Sequence, residues 1–400
     1  MKTKNNRPKL AVSLTRSAVV PDRSNTRNGS FARTLPGHTD RLFRFFLNVR
    51  FGQHAFQRGR HAFCTLRSAF SIPRLALFFL AASLTAFHGL SAELLKKVAD
   101  IPLPGGATRF DYASLDSAAG RLYFSHMGDG KLMVFDTRAE KLATNLPGFP
   151  TMTGVLAVPP LHRVYGSVTK NHEVAVVDTE TLSVIKRIPD GKFPDGLAFS
   201  PETQKLYVSD ESGGVDTVID TKTNEKLRSI PLGGEAGNTQ YDPTSHLIYV
   251  AVQTRNQLVA IDPQSDKITA RYDLKKGDHP HGFYIDAPRN RAYISCQGDN
   301  KLIVFNLDSY QEEDVFPVEP DPDVLSFDSE LNMLYVACES GGVSIFKADN
   351  GKLTKLGDAD VGPNSHTVAV DSKTHKAYFP LKNLNGAPVL RIMIPLRTPL

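Results

Sequence analysis

The sequence predicts an all-β repeat fold, a seven-bladed β-propeller of four-stranded antiparallel blades, on three observations. First, Tyr123, Tyr165, Tyr207, Tyr249, Tyr293, Tyr335 and Tyr378 recur at intervals of 42, 42, 42, 44, 42 and 43 residues. Second, most of them sit in one phrase of the kind seen at Arg121–Phe124 (RLYF), Lys205–Val208 (KLYV) and Met333–Val336 (MLYV). Third, short runs rich in strand-favouring residues fill each interval, bounded by Gly, Pro and Asp. A fixed period in the forties marks an array whose unit cannot bury its own apolar face alone.

The array does not begin at the N-terminus. Residues 1–74 carry 15 Lys and Arg against 2 acidic residues, a balance of +13, and the remaining 326 carry 32 against 40, a balance of −8. The basic total of +5 therefore hides a mildly acidic repeat domain. Such a surface releases few counterions from a phosphate backbone, so nucleic acid is not the favoured partner. Residues 75–87 (LALFFLAASLTAF) form a 13-residue apolar run preceded by Arg67 and Arg74 and followed by Leu90–Ala92. That is the layout of a secretory signal peptide over 67–92, too short for a membrane span of about 20 residues. The expectation is a periplasmic or secreted mature chain, monomeric and without a membrane span once the signal is removed. Residues 1–66 are Arg-rich and lack apolar periodicity. They are expected to be disordered or to precede the true translation start.

Residues 93–400 are expected to form the propeller. In one unit, residues 196–200 (GLAFS) and 205–209 (KLYVS) are the first two strands. Gly213–Gly214 turns the chain into a third strand, Val215–Asp220, and residues 226–231 form an edge-like fourth. Asp136–Thr137, Asp178–Thr179 and Asp220–Thr221 begin the following turns, where an Asp side chain bonds its own backbone. Gly233–Gly237 resembles a phosphate cradle, but no helix follows it, so it is read as a connector between blades. The seventh unit ends after its third strand, residues 389–394 (VLRIMI). Residues 95–106 (LKKVADIPLPGG) match the fourth strand of the third blade, 226–234. The N-terminal strand of the mature chain is therefore expected to complete the last blade and close the ring, hiding an edge. Cys296 and Cys338, each three residues after a repeat Tyr, read as two small buried residues rather than a disulfide.

Which propeller this is depends on finer signals. The chain contains no Trp, which excludes the Trp-Asp repeat, and a period near 42 is short for kelch repeats. The phrases at 206–209 (LYVS) and 218–224 (VIDTKTN) resemble the YVTN repeat of YncE-like proteins across 94–395. The resemblance implies a secreted bacterial seven-bladed propeller. A DNA-binding role proposed for one member is not favoured here by the acidic balance.

A site is expected at the channel mouth, where the inner strands begin and the second strands end. Aligned blade by blade, the inner column reads Asp111, Gly154, Asp195, Gly237, His281, Asp323 and His366, with His279, Asn238 and Asn364 beside it. The second-strand ends supply His126, Thr169, Asp210 with Glu211, Arg255, Gln297, Glu339 and Lys382. Convergent polar groups at a concave mouth suit ligand binding. The candidate ligand-binding residues are Asp111, His126, Asp195, Glu211, Asn238, Arg255, Glu339 and Asn364. His281, His366 and Asp323 suit a divalent metal. Three readings follow: a propeller binding a small ligand or divalent ion, a metal-dependent hydrolase of lactonase type, or a cell-envelope interaction scaffold. No Gly-x-Ser-x-Gly elbow, Cys-x-x-Cys pair or haem motif occurs.

Overall fold

A computed structural model describes residues 93–349 and 351–396; the expectations for 1–66 and 67–92 fall outside the described residues. The described chain forms seven four-stranded antiparallel sheets, each holding one repeat Tyr on its second strand. The innermost strands are Ala113–Asp116, Met152–Val158, Pro194–Ser200, Ala236–Asp242, Pro280–Asp286, Pro322–Asp328 and Ala369–Asp371. Each packs against the next around a ring that returns from the last to the first. This is the expected seven-bladed β-propeller.

The repeat phrase works because its Tyr fills the space between neighbouring blades. All seven are between 0 and 2 % exposed. The residue just before each phrase, Gly120, His162, Gln204, His246, Asn290, Asn332 or His375, takes a left-handed conformation with φ from 50 to 68°. Glycine adopts that geometry freely and Asn tolerates it. Three of the histidines are thus turn residues. The turn aspartates behave as expected. Asp136 Oδ1 accepts from the backbone N–H groups of Arg138 and Ala139 at 3.0 and 2.9 Å, and Asp178 and Asp220 do the same in their blades.

The seventh sheet combines Ala369–Asp371, Lys376–Leu384, Ala387–Pro395 and Leu95–Pro102. Asp100 lies opposite Arg391 in that register and accepts a bidentate pair from its guanidinium at 2.7 and 2.8 Å. Cys296 and Cys338 are buried free thiols. No helix among the described residues is long and apolar enough to cross a membrane.

Candidate ligand cavity at the channel mouth

The backbone aims the site residues before any side chain acts. On five inner strands the pairing skips two residues: 153 and 154, 195 and 196, 237 and 238, 281 and 282, and 323 and 324. These bulges sit at the candidate column, and a bulge re-aims side chains at a sheet end. Four of them contain a glycine, at 154, 196, 237 or 282, which close packing requires. A Cβ on Gly282 would stand 1.7 Å from the carbonyl oxygen of Asp323, and one on Gly154 1.9 Å from that of Asp195.

The column converges. A cavity of about 340 Å³ is lined by Arg109, Asp111, Tyr112, Asp195, Glu211, His281, Asp323 and Glu339, with Thr153, Phe193, Met127 and Gln297 completing it. His366 is fully buried at its wall. Seven of the eleven candidate residues therefore meet here. Four do not. His126 is buried behind the wall, stacked on Phe110 at 4.2 Å and 3.0 Å from Thr108 Oγ1. Arg255 is exposed and donates its Nε to the Gly233 carbonyl at 2.7 Å. Asn364 is a turn residue with φ 58°. Asn238 lines a second, larger cavity of about 560 Å³ along the inner strands.

Three positions correct the alignment of the sequence. Thr153, not Gly154, stands in the inner column of the second blade, its hydroxyl donating to the Pro194 carbonyl at 2.8 Å. Met127 and Gln253 stand where His126 and Arg255 were expected. Gln253 Nε2 reaches Glu211 Oε1 at 3.3 Å. In both blades a 3₁₀ turn, Met127–Asp129 or Gln253–Arg255, follows the second strand, and its first residue holds the position that Glu211 holds in the third blade. Asp210 is structural: it accepts backbone N–H groups from Lys192, Phe193 and Gly213 at 2.7–3.0 Å.

Two residues of the site had no counterpart in the repeat. Arg109 precedes the first inner strand and donates Nη1 to Glu339 Oε1 at 2.7 Å. Its guanidinium also lies 3.9 Å from Asp111, 4.0 Å from Asp323 and 3.3 Å from His366 Nδ1. Tyr112 is the one residue common to the two cavities, and its hydroxyl is buried without a partner.

Protons distribute unevenly over this cluster. His366 Nε2 donates to the Phe110 carbonyl at 2.8 Å, and Nδ1 lies 2.7 Å from Asp323 Oδ2. Each ring nitrogen thus faces an acceptor, which an imidazolium satisfies at both ends. His281 Nε2 lies 3.3 Å from Asp323 Oδ1. Burial, the largest single influence, opposes charge on His281, but the contact and charge of Asp323 together with the charges of Asp195 and Glu211 outweigh it and raise His281 to about 9; His366 is raised likewise, by Asp323 and Asp111 acting together against burial. Asp323 is the converse. Burial disfavours its anion, yet the two imidazoles hold it well below the usual carboxylate range. Asp195 has no such partner. Burial and the nearby Asp111 push it up to about 8. Burial also raises Asp111, to about 6.

A divalent ion can be tested against these groups. Asp111, Asp323 and His366 bring ligand atoms within 4.8 Å of one another, and the Nε2–H of His366 on a carbonyl is the outer contact a metal-bound imidazole makes. The Arg109 guanidinium, however, already stands against all three. A metal would fit only with that side chain moved.

No protein-family model and no curated protein matches the chain. Solved structures do. The hydrazine synthase of Kuenenia stuttgartiensis superposes with a TM-score of 0.63 at 15 % identity, over 75 % of this chain and 97 % of that one. The WD40 repeats of RRP9 superpose with a TM-score of 0.64 at 8 % identity, over 76 % and 100 %. At such identities the likeness is one of fold: a seven-bladed β-propeller with WD40-like structural neighbours.

Proposed function

We propose that this chain is a secreted YncE-like propeller that binds a small positively charged ligand in the cavity at the channel mouth. The observation that carries the reading is the charge of the lining. Five carboxyl groups, from Asp111, Asp195, Glu211, Asp323 and Glu339, face three cations, from Arg109, His281 and His366. The buried Asp195 is raised by burial and by the charges of Asp111, Glu211 and Asp323, which His281 only partly offsets, so the acids outnumber the cations around it. A cation entering the cavity would supply the missing counter-charge. The family assignment is supported by the phrases at 206–209 and 218–224, and export by the pattern over 67–92. The hydrolase alternative needs the Asp111, Asp323 and His366 group as a metal centre, and the position of Arg109 weighs against that.

The test is cation binding by the purified protein. Bound metal is measured by mass spectrometry, and binding of divalent ions and small amines by calorimetry, on the wild type and on His281→Ala/His366→Ala. Saturable binding of a cation, with neutral compounds inert, supports the reading. An anion or neutral compound bound in preference to every cation sinks it.

A further inference from the structure

The cavity has two halves with different electrostatic histories. On one side Arg109, His281 and His366 already pair with Asp323, Asp111 and Glu339. On the other side, Asp195 and Glu211 belong to the third blade and, among the described residues, make no ion pair within 4 Å; His281 is the one cation that acts on both, from farther away, and it is already committed to Asp323. Asp195 is 4 % exposed. Its carbonyl accepts from Ser167 Oγ at 2.7 Å, but burial and Asp111, not a hydrogen bond, dominate the surroundings of its carboxyl group. Among the described residues the Glu211 carboxylate has one hydrogen bond, the long one from Gln253.

Two further polar atoms point to what is missing. Tyr112 Oη and His281 Nδ1 are both buried and both without a partner, and both residues line this cavity. A buried polar atom without a partner costs about 1–3 kcal/mol, so two on one cavity wall ask for a bound molecule. With Nε2 directed at Asp323, a protonated His281 offers its Nδ1–H to an acceptor. The groups that lack close partners are thus the carboxyl groups of Asp195 and Glu211, one N–H donor and one hydroxyl, with Asp323 Oδ1 held only by the 3.3 Å approach of His281 Nε2.

A bare metal ion answers this set poorly. Among the described residues only Asp111, Asp323 and His366 bring ligand atoms within 4.8 Å of one another. The unpaired groups of the other half are spread too widely for one ion and suit a molecule. Phe193 adds an apolar wall beside them. The volume of about 340 Å³ is at the small end of ligand sites.

Resting on the cation-binding reading, we propose that the ligand is a small organic primary ammonium compound that also carries a hydroxyl or carbonyl oxygen. Its ammonium group donates to Asp195 and Glu211, which accept N–H bonds. Its oxygen accepts from His281 Nδ1–H and meets Tyr112 Oη. Its carbon chain lies along Phe193.

The probe is 5-aminopentan-1-ol, titrated calorimetrically into the purified protein at neutral pH. Pentane-1,5-diol, which replaces the ammonium with a hydroxyl, and the chlorides of calcium and zinc are titrated alongside. The amine is expected to bind saturably and the diol at least about tenfold more weakly, the equivalent of ~1.4 kcal/mol. Glu211→Gln and Asp195→Asn are each expected to weaken the amine by a similar factor. Glu211 is part-exposed, so its variant tests the site even if Asp195→Asn misfolds. Equal binding of amine and diol overturns the inference. Binding of calcium or zinc with no response to the amine also overturns it, and leaves the cation-binding reading standing. No binding of any cation fails both.

Discussion

Asp216→Asn should abolish a large part of the pH dependence of stability. Asp216 is fully buried on the third strand of blade three. Its Oδ2 accepts from Thr239 Oγ1 at 3.2 Å, and among the described residues its Oδ1 has no side-chain partner and no cation pairs with it. Asp190, whose charge acts on Asp216, is itself raised by burial and held by Lys226 at 3.1 Å. Burial first, with Asp190 adding repulsion, raises Asp216 from 3.8 to about 8. The folded protein therefore keeps a proton that the unfolded chain releases between those values. Where the folded state binds more protons, stability falls as pH rises, by ~1.4 kcal/mol per pH unit for one group. From about pH 5 to about pH 7.5, Asp216 alone should remove about 3 kcal/mol. An Asn is neutral throughout and nearly isosteric with the protonated acid, so the variant should match the wild type near pH 4 and exceed it near pH 7.5. Urea denaturation at a series of pH values measures this directly. Asp195 is raised in the same direction and remains in the variant, so some slope persists. Parallel wild-type and variant profiles across that range would refute the reasoning.

Other outcomes follow from individual contacts. Tyr207 Oη donates to the buried Asp266 at 2.6 Å, where Lys205 also binds at 2.8 Å, whereas Tyr335 Oη is buried with no partner. Tyr207→Phe should destabilise by about 1.5–3 kcal/mol, and Tyr335→Phe should be neutral or stabilising, when the two are compared by thermal melting. Equal effects at these two equivalent repeat positions would show that the hydroxyls do not determine the difference. Gly282→Ala places a Cβ 1.7 Å from the Asp323 carbonyl oxygen, so blades five and six must separate. A loss of about 3 kcal/mol or more is expected from such overpacking, read as a lowered denaturation midpoint.

The fold was legible because its signal is repeated. Seven equivalent tyrosines leave little freedom in the blade count, and the resulting columns put Asp111, Asp195, His281, Asp323 and His366 at one ring of positions. The register of two columns was also present in the sequence. Counting the tyrosine intervals from Glu211 lands on Thr169 and Met127 in one direction and on Gln253, Gln297, Glu339 and Lys382 in the other. Counting from Asp111 lands on Thr153. Following residue type instead favoured His126, Arg255 and Gly154. His126 is conspicuous for its chemistry, but it lies one residue short of the channel-facing position and is buried behind it. Arg109 and Tyr112 could not be found from residue type at all, since Thr151 and Phe193 hold the positions equivalent to Arg109, and Gly154 and Gly196 those equivalent to Tyr112.

By itself the sequence determined the period, the strand pattern and the arrival of acidic and imidazole groups at one end of a ring, since each depends on spacing along the chain. Only the tertiary structure decided which of those groups are paired and which hold their protons. His366 bonds the carbonyl of Phe110 across a separation of 256 residues, and Arg109 meets Glu339 across 230. Such contacts depend on how the blades are disposed around the channel, and they leave Asp323 charged between two imidazoles while Asp195, in an equivalent strand position, has no cation paired directly with it and is raised by burial and Asp111.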